Sequence, residues 1–165
     1  MSAKGLLAKV DLSNVKRDYA WYTVATLFNS EESYIRNVKD AVTGTGLTQY
    51  FKEYYIPLQY VKKDGKLKKL RGDYSGYVFI KCILTAKVWN LLRTASGASV
   101  VLTAGGIPIE MPVREINKIR SQNAPNGLSN KEFKHLQNDL RNKYCCKGIR
   151  KPEMFDSDFN TDFTA

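Results

Sequence analysis

The segment that most constrains the fold is residues 76–82, which read Gly-Tyr-Val-Phe-Ile-Lys-Cys. Its apolar character is nearly continuous, and its β-branched and aromatic side chains favour a strand. A strand without regular polar alternation is typical of a central position that is covered on both faces. The sequence therefore predicts that this segment is a central strand of a sheet.

Strand and helix patterns alternate on either side of this segment. The turn pair Asp64-Gly65 lies between two short runs and is typical of a two-residue hairpin. Thr85 is a candidate cap for the helix that follows the central strand. The remaining segments, in chain order, are a strand at 21–26, a helix at 31–42, a strand at 54–57, a strand at 100–102, a helix at 113–119 and a helix at 131–144.

This order predicts an α/β (α+β) fold, a ferredoxin-like βαββαβ sandwich with a largely antiparallel sheet and an appended C-terminal helix. The helices of the sandwich are expected on one face of the sheet. The acidic tail has two interpretations, which are disorder and a short helix docked through its phenylalanines. The expected segments are a flexible N-terminal arm (1–18), a folded domain (19–121), a linker with an amphipathic basic helix (122–152) and the acidic tail (153–165).

Composition excludes several classes of protein. The chain has 165 residues, of which 43% are hydrophobic, and it lacks both a run of about 18 apolar residues and the apolar core of a signal peptide. We therefore predict a cytoplasmic protein without a membrane span. The cysteines are Cys82, Cys145 and Cys146, an odd number with an adjacent pair that does not match zinc-ligand spacing. No catalytic motif is evident, so we expect no enzyme activity, no catalytic or metal site and no cofactor.

Charge gives the first indication of a partner. The formal net charge is +10, which favours a polyanionic partner and nucleic acid above all, although a lysine-rich composition alone would give the same value. Ten residues around the Asp64-Gly65 turn contain six bases and one acid, in a segment that is either a solvated surface or a phosphate contact. These bases are Lys62, Lys63, Lys66, Lys68, Lys69 and Arg71.

Several segments together resemble the N-terminal domain of the NusG family of transcription elongation factors, over about residues 19–121. Ser75 stands where the family usually has proline, and the pair Thr94-Ala95 stands where some members carry Asn-Thr. The matching segments, in chain order, are Trp21-Tyr22-Thr23-Val24, Asp73-Tyr74-Ser75-Gly76-Tyr77-Val78-Phe79-Ile80, Trp89-Asn90-Leu91-Leu92-Arg93 with Gly97, and Gly106, Pro108 and Glu115-Ile116.

The resemblance implies a factor that binds the clamp helices of the largest RNA polymerase subunit, bridges the DNA cleft and modulates elongation, pausing, termination and antitermination. It implies polymerase contacts at Trp21, Tyr74 and Tyr77, for which core packing is the alternative. It also places Arg93 and Thr94 where some members touch the non-template strand, although Arg93 could instead cap its helix. The basic residues around Asp64-Gly65 are expected near upstream DNA.

Family members ordinarily end in a small β-barrel, the KOW domain, that recruits Rho or a ribosomal protein. Residues 122–165 instead predict a helix and an acidic tail, so Rho or the ribosome would be contacted only through a C-terminal domain not visible in this chain. The alternative function is a stand-alone RNA- or ribosome-binding α/β module. An enzyme is the third candidate, and it would require a pocket with convergent titratable groups.

Overall fold

A five-stranded sheet forms the centre of the molecule in a computed structural model that describes residues 10–57, 59–70, 74–121, 130–146 and 148–160. Within these ranges the strands are β1 (Ala20–Thr26), β2 (Phe51–Tyr55), β3 (Gln59–Lys63), β4 (Lys66–Leu70), β5 (Tyr77–Cys82), β6 (Ala98–Val101), β7 (Thr103–Ala104), β8 (Ile107–Pro108) and β9 (Glu110–Met111). The α-helices are α1 (Glu31–Thr45), α2 (Ala86–Thr94), α3 (Val113–Ser121) and α4 (Asn130–Tyr144), with short 3₁₀ helices at Thr48–Tyr50 and Asp156–Phe159. Among these helices, none is long and apolar enough to cross a lipid bilayer.

The strand order is β2–β5–β1–β6, all pairs are antiparallel, and β9 also pairs with β1. Together with α1 and α2, this gives the βαββαβ order of a ferredoxin-like sandwich, so the predicted α+β fold is confirmed. β5 lies between β2 and β1, as its apolar sequence predicts. Thr85 caps α2 as expected, because its Oγ1 accepts a hydrogen bond from the Val88 N–H at 3.2 Å.

The main core lies between the sheet and the helices α1 and α2. Alternate residues of the central strands point into it, which is the two-residue period of a β-strand. Burying each large apolar side chain stabilises the fold by roughly 1.5–3 kcal/mol. The most buried members include Tyr22, Val24, Val78 and Ile80 from the strands, and Tyr34, Ile35, Val38, Val88 and Leu92 from the helices.

A second, smaller cluster lies on the opposite face of the sheet. Trp21 and Phe79 pack there against Ile116 and Ile119 of α3, and all four side chains are buried. Ile116 and Ile119 are three residues apart and therefore lie on the same side of the helix. α3 thus covers only the part of this face that holds Trp21 and Phe79.

The basic segment forms the predicted hairpin. β3 and β4 pair with Lys63 opposite Lys66, and the two turn residues have positive φ angles, 54° at Asp64 and 74° at Gly65. Positive φ at both positions is the type I′ geometry that matches the twist of the flanking strands. The side chains of residues 59–63 and 67–70 are outside the described part of the structure.

The N-terminal segment differs from the expected flexible arm. Val10 and Leu12 are 5% and 1% exposed and belong to the main core, and the Asp11 N–H donates to the Gly106 carbonyl at 2.7 Å. Within the arm predicted over 1–18, Val10 and Leu12 are therefore packed rather than free, because these two apolar side chains find a core site that distant elements create. Residues 1–9 lie outside the described residues.

The C-terminal segment also packs on the domain. After α4, Cys145 forms a β-bridge with Glu53, and the Cys146 N–H donates to the Lys52 carbonyl at 2.9 Å, along the edge of β2. Residues 148–160, which we call the C-terminal strap, carry Phe159 into the main core with 6% exposure. Docking through a phenylalanine, one of the two interpretations of the tail, therefore applies at Phe159.

The other aromatic residues of the tail behave differently from Phe159. Phe155 is 62% exposed, and Phe163 lies outside the described residues, as does the linker 122–129. The guanidinium of Arg17 lies 4.6 Å from the centre of the Phe159 ring and forms an ion pair with Asp156. Lys151 and Asp18 add a second ion pair at 3.6 Å. The strap is thus held to the N-terminal segment as well as to the core.

Candidate interaction surface

The part of the sheet that α3 leaves uncovered carries a row of apolar side chains. Ala25 of β1 is paired with Tyr77 of β5 on one side and with Val100 of β6 on the other. Directly paired residues point to the same face, so these three side chains form a row across three strands. Tyr77 is 37% exposed and Val100 is 49% exposed. We call this row the open row.

Trp21 does not belong to the open row. Strand alternation places it on the same face as Ala25, but Ile116 and Ile119 of α3 pack over it and leave it 2% exposed. The guanidinium of Arg120 lies 5.2 Å from the centre of its ring. Trp21 is a predicted polymerase contact for which core packing is the alternative, and its burial agrees with that alternative, because the chain beyond β9 returns as a helix over this residue.

Tyr74 and Tyr77 are brought together at the start of β5. The Tyr77 N–H donates to the Tyr74 carbonyl at 3.1 Å, and the Tyr74 ring meets Phe79 edge-on at 6.4 Å between ring centres. Tyr74 is half-buried and lies at the border between the cluster under α3 and the open row. Tyr77 is not in the core, so the core-packing alternative does not describe it. Their roles as polymerase contacts stay predictions.

Sequence reasoning missed Val100 as a candidate contact. The run Val100-Val101-Leu102 is apolar throughout, so the sequence does not show which side chain faces solvent. In the structure, the pairing of β6 with β1 leaves Val100 exposed and buries Val101. Other exposed apolar side chains flank the strands and α3. They are Leu27 and Phe28 after β1, Ile107 and Ile109 around β8, and Val113 at the start of α3.

The loop before β5 is fastened to two neighbouring elements. The Gly76 N–H donates to Oε1 of Glu31 in α1 at 2.8 Å. The Gly76 carbonyl accepts hydrogen bonds from the Thr26 N–H at 2.7 Å and from the Thr26 hydroxyl at 3.0 Å. Gly76 itself has a φ of 91°, which favours glycine at this position. Both tyrosines of the surface therefore flank a residue held by three hydrogen bonds.

The basic residues expected near DNA lie in two separate places. Lys66 is exposed at the tip of the β3–β4 hairpin, and Lys62, Lys63, Lys68 and Lys69 belong to its strands. Arg71 lies outside the described residues. The hairpin is inserted between β2 and β5 in the chain and pairs as a separate two-stranded sheet. Its proximity to DNA stays a prediction.

Arg93 and Thr94 lie at the C-terminal end of α2. Arg93 Nη2 donates to Oδ1 of Asn90 at 2.8 Å, and the Thr94 hydroxyl donates to the Asn90 carbonyl at 2.7 Å. The Nε of Arg93 is buried and lacks a hydrogen-bond partner within the described part of the chain. A cation at this end also interacts favourably with the helix dipole, which agrees with a helix-capping role for Arg93.

Comparison with known families and structures agrees with this arrangement. A family model described as "Transcription termination factor nusG" matches residues 19–120. The chain belongs to the NusG family. The resemblance seen in the sequence is confirmed, and it covers the sheet, α1, α2 and almost all of α3.

Curated relatives are named "Transcription termination/antitermination protein NusG". The protein from Staphylococcus epidermidis strain RP62A is 29% identical over 89 residues, which is 52% of this chain and 49% of the relative. The protein from Rickettsia typhi is 26% identical over 110 residues, which is 65% of this chain and 56% of the relative. The chain thus matches about half the length of these NusG proteins.

A solved NusG structure has the same fold. The structure described as "Domain interaction in Thermotoga maritima NusG" superposes with a TM-score of 0.53 and 26% sequence identity. The match covers 61% of this chain and 55% of that one. α4 and the C-terminal strap follow the region that the NusG family model matches.

Proposed function

We propose that this NusG-family chain binds the clamp helices of the largest RNA polymerase subunit and bridges the DNA cleft. The observation that carries the proposal is the open row, in which Tyr77 and Val100 remain exposed on the same sheet that holds Trp21 and Phe79 buried under α3. Exposed aromatic and aliphatic side chains on a rigid sheet are suited to the apolar side of a helical partner. Tyr74, at the border of the row, extends the contact.

The proposed effect on transcription is a shift in the population of polymerase conformations. A factor that contacts both sides of the cleft binds the closed, elongating enzyme more tightly than the open or paused enzyme. The factor can shift the equilibrium between these conformations by no more than the ratio of its affinities for the closed and the open or paused enzyme. Modulated elongation, pausing, termination or antitermination would follow from that ratio, and no bond is made or broken by the factor.

We also propose that the β3–β4 hairpin lies near upstream DNA in the complex. Asp64 and Gly65 adopt the positive φ angles of a two-residue hairpin turn, and the strands on either side carry the lysines at 62, 63, 66, 68 and 69. Each phosphate contact by a lysine makes affinity fall with salt. Replacing these lysines by glutamine should flatten the dependence of DNA affinity on salt, and an unchanged slope would reject the contact.

The experiment that tests the main proposal compares two ligands over a range of salt. The chain is titrated against purified core RNA polymerase and against single-stranded RNA at increasing potassium chloride. Apolar binding to polymerase should persist at high salt, whereas contacts to phosphates should be lost steeply. Strong, salt-sensitive binding to RNA with none to polymerase would instead support the stand-alone RNA-binding module.

A further inference from the structure

Glu31 is a buried carboxylate that joins α1 to the loop before β5. It is the first residue of α1, is 8% exposed, and accepts the hydrogen bond from the Gly76 N–H at 2.8 Å. Glu53, the other buried acid among the described residues, forms ion pairs with Arg120 and Arg141. Among the described residues, no lysine or arginine forms an ion pair with Glu31.

Backbone groups around Glu31 stabilise its negative charge. The start of a helix carries a partial positive charge, and a carboxylate in the first turn is stabilised by it. A hydrogen bond from a backbone N–H to a carboxylate is charge-assisted and stronger than one between neutral groups. Glu31 therefore links the N-terminal end of α1, which is partially positive, to Gly76. Gly76 lies between the Tyr74–Ser75 turn and the start of β5.

We propose that Glu31 is a positioning residue for the open row. By holding the Gly76 peptide, it fixes the direction in which the chain enters β5 and so the orientation of Tyr77 beside Ala25. Thr26 holds the carbonyl of Gly76 at the same point. Glu31 does not touch the partner. The inference rests on the proposed function, because it assigns Glu31 a role in the same surface.

A direct test of the contact compares the wild-type protein with Glu31→Ala. Hydrogen exchange of the Gly76 amide is followed by NMR in both proteins. Without the carboxylate acceptor the Gly76 amide should exchange faster, while the amides of buried Val78 and Ile80 keep their protection. Equal exchange of the Gly76 amide in the two proteins would overturn the proposal.

A binding test uses Glu31→Ala, Glu31→Gln and Asp40→Ala with the isolated clamp helices as the probe. Asp40 is an exposed acid of α1, so Asp40→Ala removes the same charge without touching Gly76. Glu31→Ala should weaken binding about fivefold, since a loosened side chain must be ordered again on binding. Glu31→Gln keeps an acceptor oxygen and should recover most of the affinity, and Asp40→Ala should bind like wild type.

General destabilisation is separated from positioning by Phe159→Ala. This variant loses stability at the strap, in a different part of the fold, and should keep full affinity as long as it is folded. If Glu31→Ala is folded and binds the clamp helices like wild type, the positioning role is rejected. If Tyr77→Ala also binds like wild type, the proposed function itself fails, so the two failures are distinguishable.

Discussion

The guanidinium of Arg120 donates a hydrogen bond of 2.5 Å to the carboxylate of Glu53, and both side chains are largely withdrawn from solvent. The same guanidinium lies 4.7 Å from the centre of the Tyr55 ring and 5.2 Å from that of Trp21. This contact fastens the last full turn of α3 to β2. Together with the packing of Ile116 and Ile119, it holds α3 over the part of the sheet face that carries Trp21 and Phe79.

Replacing Arg120 by leucine should destabilise the fold strongly. Removing one member of a buried ion pair costs about 3–5 kcal/mol when its partner is left alone, and Arg141, whose Nε lies 3.7 Å from the same oxygen of Glu53, should offset part of that loss. The free energy of unfolding is measured by urea denaturation. Lys118→Leu is the matched control, because Lys118 is an exposed base on the same helix and should change stability by no more than about 0.5 kcal/mol. Equal losses in the two variants would contradict the role given to the pair.

Phe159 should contribute far more to stability than Phe155, although both belong to the strap. Phe159 is 6% exposed and packs in the main core, whereas Phe155 is 62% exposed. A buried phenylalanine replaced by alanine costs about 3–5 kcal/mol. Thermal and denaturant unfolding of Phe159→Ala and Phe155→Ala check this. A Phe159→Ala variant as stable as wild type would mean that the strap does not dock in solution.

Two glycines should respond to alanine in opposite directions. Gly97 has a φ of 100°, and a Cβ there would lie 3.2 Å from the Cβ of Tyr34, so Gly97→Ala should destabilise by roughly 1–3 kcal/mol. Gly44 lies inside α1 with open space around it, so Gly44→Ala should stabilise by roughly 0.5–1 kcal/mol. Differential scanning calorimetry compares them, and the same sign for both would refute this account of Gly97.

Alkaline pH should unfold the protein through its buried tyrosines. Burial raises the pKa of Tyr55 to about 12 even though Arg120 lowers it, and burial raises the pKa values of Tyr22, Tyr34 and Tyr54 further. The folded state thus favours the neutral phenol. This stability is complete below the unfolded pKa of about 10 and is lost as pH rises above it.

The measurement is a spectrophotometric tyrosine titration with circular dichroism in parallel. Tyr22, Tyr34, Tyr54 and Tyr55 should ionise only as the fold is lost, so their absorbance change should coincide with the loss of ellipticity. A single titration step for all tyrosines without loss of ellipticity would contradict the burial of the four.

The sequence predicted those elements whose structure depends mainly on neighbouring residues. Asp64-Gly65 specifies its own turn, Thr85 supplies its own helix cap, and the apolar run 77–82 occupies the centre of the sheet. The family resemblance located Tyr74 and Tyr77 at the start of β5. These features depend on residues a few positions apart.

The features that the sequence did not reveal depend on contacts between distant segments. Trp21 is buried because α3, about ninety residues later, packs over it, and Val100 is exposed because of the register between β6 and β1. Val10 stands between the charged residues Lys9 and Asp11, and Phe159 is one of three phenylalanines spaced four residues apart in an acidic tail, a spacing that permits docking without showing which ring is buried. Their burial follows only from the assembled core.

Binding of Tyr77→Ala to the isolated clamp helices of RNA polymerase tests the central claim most directly. Phe155→Ala is the matched control, since it removes an exposed aromatic ring from the strap. Because aromatic residues at the centre of an interface often contribute more than 1 kcal/mol, Tyr77→Ala should weaken binding about tenfold or more in moderate salt. Phe155→Ala should bind like wild type. Equal affinities for Tyr77→Ala, Phe155→Ala and wild type would contradict the proposal that the open row binds polymerase.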